Sequence, residues 1–205
     1  MFLWVRLGPR LDPGANKKQL RTVVSAAPSG LEQIFQRDLQ VILNLEETER
    51  LRAIEILRWI FFAVRPLTVR ELTEALIANT NSTLVYLFDE IPDSWDEHHV
   101  NHQIRRLSLS SVDIRSNSPS HPVETQTVHF VHSSVKEFLS KPLNGRFDWN
   151  VSFQHAAREH NLLAKTCLSY ICYDDIVKGH DFTAEHLEQK IRLFQFLPYA
   201  AQMSI

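Results

Sequence analysis

Ten histidines and two cysteines are the side chains of this 205-residue sequence best suited to metal or nucleophilic chemistry. Their spacing argues against most of it. His98 and His102 lie four apart, which on a helix would set two ligands on one face. Positions 99–102 read His-Val-Asn-His, however, without the glutamate of a zinc-protease helix and without an evident third ligand. They read as solvated surface histidines, and no metal is expected. His129 and His132 straddle the end of an expected strand, and their odd spacing sets them on opposite sides of it. His155 and His160 fall on an expected helix with no ligand partner in view. Cys167 and Cys172 fall on the same helix, five apart and therefore pointing to different sides, which disfavours a disulfide. They are expected as two buried thiols of a reduced, cytoplasmic protein.

Two other kinds of chemistry lack their frameworks. The five glycines are scattered, and nothing matches the Gly-x4-Gly-Lys-Ser/Thr phosphate loop or a Gly-x-Gly-x-x-Gly turn. No Gly-x-Ser-x-Gly nucleophile elbow occurs either. Self-contained nucleotide hydrolysis and serine-hydrolase chemistry are thereby disfavoured, so no catalytic residue and no bound cofactor are expected. The net charge of −2 and a pI near 6.5 lack the overall basic footprint of nucleic-acid binding. Residues 54–64 form the longest apolar run, but Glu55 and Arg58 interrupt it. That is far short of the roughly 20 apolar residues of a membrane span. Residues 1–5 are apolar without the basic start of an export signal, so the sequons at Asn81 and Asn150 read as chance matches.

The elements that would carry these residues are mostly helical. Glycine and proline at positions 8, 9, 13, 14, 28 and 30 suggest a linker over 8–30. Helical spacing of apolar residues follows over 31–45 and again over 49–64. Arg65-Pro66 stops the second helix, because proline disfavours helix at the preceding residue. Thr68-Val-Arg-Glu71 is a capping box that starts a short helix over 69–77. Residues 79–96 read as a loop and 95–107 as a weaker helix. Extended runs over 109–115 and 125–132 flank turn-forming residues 117–122. A helix over 133–139 closes the unit, a break follows at 142–145, and long helices are expected over 153–177 and 181–201. The fold class is mainly α: a winged helix, meaning a helix-turn-helix plus a small β-hairpin wing, followed by the start of a helical domain. Trp59, Val135, Phe138 and Leu139 are expected in its core. Residues 193–199 look apolar enough to need a partner from outside the chain.

A helix-turn-helix raises the question of DNA. The helix over 69–77 offers Arg70 against Glu71 and Glu74, and carboxylates repel phosphates. A stand-alone winged-helix DNA-binding protein is therefore the alternative, not the leading reading; a nucleic-acid partner is not expected.

Five segments, in order, resemble the winged-helix region that follows the nucleotide-binding module of fungal NACHT-type (NOD-like) STAND proteins, a domain type also named after GPI inositol-deacylase. They are Met1-Phe-Leu-Trp-Val-Arg-Leu7, Gly30-Leu-Glu-Gln-Ile-Phe-Gln-Arg37, the stretch from Ile56 through Arg65-Pro66-Leu67-Thr68 to Leu72, Val131-His-Ser-Ser-Val-Lys-Glu-Phe-Leu139, and Ala164-Lys-Thr-Cys-Leu-Ser-Tyr170. Ser108 departs from the pattern, standing where the family often has cysteine. The resemblance divides the chain into the end of a NACHT module with its linker (1–30), a winged-helix domain (31–140) and an incomplete helical domain (148–205). It implies a non-catalytic regulatory module in a fragment lacking the nucleotide-binding core, with a NACHT module or homologous chain as protein partner. ADP or ATP would be met only in a full-length parent. There His132 would contact the nucleotide's phosphates and Ser134 would add a hydroxyl or cap the helix, while Arg65, Pro66, Thr68 and Glu71 set the turn.

Overall fold

A computed structural model describes residues 27–80, 97–116, 125–141, 153, 155–177 and 183–203. The apolar start at 1–5, the loop at 81–96, the wing tip at 117–124 and the break at 142–145 lie outside the described residues. Helix α1 spans Ala27–Leu43, so the backbone turns helical before the expected linker ends at 30. Pro28 falls in its first turn, where a missing N–H costs nothing. Helix α2 spans Glu47–Phe62, α3 spans Val69–Thr80 and α4 spans Glu97–Ser108. Strands β1 (Val112–Arg115) and β2 (Thr127–Phe130) then pair antiparallel, with Val112 opposite Phe130 and Ile114 opposite Val128. Helix α5, Ser133–Ser140, follows directly.

The turn between α2 and α3 is built by the capping box. The Glu71 amide donates to Thr68 Oγ1 at 3.1 Å, and the Thr68 amide donates to Glu71 Oε2 at 2.8 Å. Arg65 adds a bidentate pair to the same carboxylate, at 2.6 and 2.9 Å. One role of this turn was not legible in the sequence. Leu67 accepts from the Val128 amide, the Val69 amide donates to Gln126, and Thr68 bridges Thr127. The segment thus adds a rung to the sheet, and β2 lies between it and β1.

The last helices depart from expectation in two places. The helix over 153–177 is interrupted at Cys172, giving α6 (Ala156–Ile171) and α7 (Asp174–Val177). The final one is interrupted at Phe194, giving α8 (Ala184–Leu193) and α9 (Leu197–Met203). Phe194, with φ −112 and ψ 79, leaves the helical region. The resulting bend lets Phe194 and Phe196 both turn inward. These rings and Tyr199 are buried in the chain's own core, which corrects the expectation that they need an outside partner. Leu193 and Pro198 of that stretch are exposed.

A single hydrophobic cluster runs from Phe35 of α1 to Ala200 of α9. Trp59, fully buried, sits edge-on to Phe196 and Tyr199 at 5.5 and 6.1 Å. Val135, Phe138 and Leu139 bury one face of α5, and Phe138 meets Phe35. Between α4 and β1, Leu109 adopts a left-handed φ of 53, which costs a residue with a Cβ on the order of 1–2 kcal/mol. Asp38 of α1 holds that turn by accepting from the amide and hydroxyl of Ser110.

Candidate functional site

Three elements converge on a cleft of about 270 Å³. The turn after α2 supplies Val64, Arg65 and Pro66, β2 supplies His129, and the start of α5 supplies His132, Ser133 and Lys136. Its floor is apolar, with Ile60, Leu67 and Phe130 among the lining residues. The expectation that His129 and His132 face opposite sides is therefore corrected. The strand stops at Phe130, and the chain bends at 131–132 before α5, so strand alternation no longer governs His132.

His132 is the N-cap of α5. Its Nδ1 lies 3.2 Å from the Ser134 amide, which donates to it, and 2.9 Å from Ser134 Oγ. An accepting Nδ1 assigns the ring proton of neutral His132 to Nε2, making Nε2–H a donor at the cleft. Lys136 follows one helical turn later, on the same face, with its Nζ 5.0 Å from the centre of the Phe61 ring. His129 Nε2 lies 2.8 Å from Thr127 Oγ1. Burial lowers the pKa of His129 below the ordinary histidine value; nearby Arg115 adds to this and Asp113 opposes it. The hydrogen bonds to Glu71 raise the Arg65 pKa further. The cleft thus gathers Lys136, Arg65 in its ion pair with Glu71, two imidazoles and the positive end of an eight-residue helix. Such a wall suits an anion with several oxygens.

Charges elsewhere are arranged differently. Glu74, fully buried, accepts from Tyr170 Oη at 2.6 Å, from the Phe196 amide at 2.9 Å and from Arg70 Nε at 2.9 Å. Glu159, also fully buried, receives Arg58 Nε at 2.6 Å, and Arg58 pairs with Glu55 as well. These carboxylates join α2 and α3 to the last helices. A second hollow of about 700 Å³ lies among α2, α3 and α4. There Arg106 is held by Glu49 at 2.5 Å.

The third helix before the wing, where a winged helix presents its reading face, is α4 rather than α3. Its Arg106 is taken by Glu49, and Arg105 lies 3.8 Å from Asp113. His102 of α4 is exposed, and the side chain of His98 lies outside the described residues. Among the described residues, no cluster of three potential ligands could hold a metal. The cysteines divide: Cys167 is buried, but Cys172, at the end of α6, is exposed, which corrects the expectation of two buried thiols. Burial raises the Cys167 pKa to about 12. No helix among the described residues is long and apolar enough to cross a membrane.

Known proteins give the same architecture a family. The chain is 29% identical over 140 residues to vegetative incompatibility protein HET-E-1 of Podospora anserina. That alignment covers 67% of this chain and 9% of the relative, so the chain spans about a tenth of the length of that curated protein. No solved structure matches it significantly. The GPI inositol-deacylase winged helix domain matches residues 41–154, more than half of the chain and every element from α2 to α5. With three helices, a two-stranded wing and a closing helix in the required order, the chain belongs to the GPI inositol-deacylase winged helix domain family.

Proposed function

We propose that this chain is a non-catalytic regulatory module of a NACHT-type signalling protein. In this reading the cleft at the start of α5 presents His132 to a nucleotide's phosphates. The observation that carries it is the convergence of Arg65, His129, His132 and Lys136 on one cleft at a helix N-terminus. The cleft is small for a whole nucleotide, since small-molecule pockets usually exceed about 300 Å³. It suits the phosphate half of a site whose remainder belongs to a nucleotide module, the protein partner this reading requires. The family match and the similarity to a vegetative incompatibility protein support a signalling role. Ser134 acts here through His132, by fixing the orientation of its ring.

Titration of the chain with inorganic pyrophosphate, followed by amide NMR, tests this. The expected shifts cluster at Ser133, Ser134, Lys136 and Val64 and disappear in His132→Ala. Absence of shifts, or shifts centred on another surface, would contradict the reading. DNA reading is disfavoured because Arg105 and Arg106 of α4 already face Asp113 and Glu49. A salt-sensitive affinity for random duplex on the order of micromolar would revive it.

A further inference from the structure

The cleft and the last helix meet at one side chain. Tyr199 of α9 is fully buried, yet it touches two residues that line the cleft. Its Oη accepts the Val64 amide at 3.2 Å. Its ring lies under the Arg65 guanidinium, whose Cζ is 5.0 Å from the ring centre. Val64 and Arg65 are 135 and 134 residues away in sequence, so the contact is wholly tertiary. Both follow the C-cap of α2, where the backbone has left the helix and its amides need other acceptors.

We infer that Tyr199 is a positioning residue through which seating of the C-terminal helices sets the cleft. The Arg65 guanidinium is clamped from two directions. Glu71 fixes its plane by two parallel hydrogen bonds, and Tyr199 supports its face. The phenol oxygen ties down the backbone one residue earlier. Phe196 stacks on Tyr199 at 5.4 Å, and its own amide is held by Glu74, so α9 is anchored independently of the cleft. Withdrawal of α9 removes the ring and the acceptor together, leaving Arg65 with Glu71 and the Pro66 carbonyl. The last helices are thus coupled to the anion-facing wall without contributing a residue to it. The consequence for ligand binding rests on the phosphate reading above; the positioning does not.

Three variants of the full chain separate these possibilities. Tyr199→Phe keeps the ring and removes the acceptor. Val64 amide exchange should then rise about fivefold, the value of a hydrogen bond worth about 1 kcal/mol, with Arg65 resonances in place. Tyr199→Leu should also remove the ring-current shift of the Arg65 side chain and weaken pyrophosphate several-fold. Tyr170→Phe, which loosens the same helical interface at Glu74, should leave Val64, Arg65 and pyrophosphate affinity within twofold of the parent. Unchanged Val64 exchange and Arg65 shifts in both Tyr199 variants overturn the proposal. So does an equal loss of pyrophosphate affinity in Tyr170→Phe, which marks general loosening. If the parent chain itself fails to bind pyrophosphate, the phosphate reading falls, and Val64 and Arg65 still decide the positioning role.

Discussion

The cleft and the C-terminal interface use charge in opposite ways. At the interface, Glu74 and Glu159 are fully buried; Glu74 accepts from Tyr170 of α6 and from the Phe196 amide, and Glu159 accepts from Arg58 of α2. Burying a carboxylate is costly unless it is paired and hydrogen-bonded, so these groups are committed to holding helices together. At the cleft, His132 and Lys136 stand exposed beside a hollow, and their protein contacts are a helix cap and an aromatic ring. Charge of that kind stabilises little and is accessible to a ligand. Depth and partner count, more than residue type, separate the structural charges of this molecule from the accessible ones.

Substitution should break that contrast in a graded way. Glu74→Ala strands Tyr170 Oη and the Phe196 amide, and should cost about 3–5 kcal/mol in urea unfolding. A cost below about 1 kcal/mol would mean the interface does not depend on the network. Alkaline pH should act next. Cys167 and Tyr199 ordinarily ionise near 9.0 and 10.0, and burial raises each to about 12 in the folded chain. The folded state therefore holds their protons more tightly than the unfolded state does. This contribution is complete below about pH 9 and is lost as pH rises from there to about 12. At pH 8, thiol reagents should label Cys172 and spare Cys167 in the native chain. Thr68→Ala should cost about 1 kcal/mol, by loss of the cap to the Glu71 amide. His132→Ala should be the mildest in stability, within about 1 kcal/mol, while abolishing the pyrophosphate response. A large loss of stability would place His132 with the structural charges.

The sequence carried the helices, the capping box and the winged-helix order plainly, because helical spacing and turn chemistry are local signals. Thr68 and Glu71 meet as their i,i+3 spacing requires. Tertiary effects were not legible. Nothing in Leu67 or Thr68 announces pairing with β2, since a backbone bridge has no side-chain signature. Phe194, Phe196 and Tyr199 looked like an unfinished face because the bend that turns them inward follows from tertiary burial, with Phe196 and Tyr199 against Trp59, not from local spacing. His132 was found through a motif, but its company was not. Lys136 and Arg65 reach the same cleft only once α5 is placed beside the α2–α3 turn. Local alternation misplaced His129 relative to His132 because the strand ends between them. The link of Tyr199 to the cleft gave no signal, as Val64 and Arg65 lie over 130 positions away.

The most direct test of the central claim uses a full-length protein in which this winged helix remains joined to a nucleotide-binding module. His132→Ala there should release ADP faster than the parent and signal without its stimulus, with the fold intact by circular dichroism. Unchanged ADP retention and unchanged signalling would contradict the assignment of the cleft to phosphate.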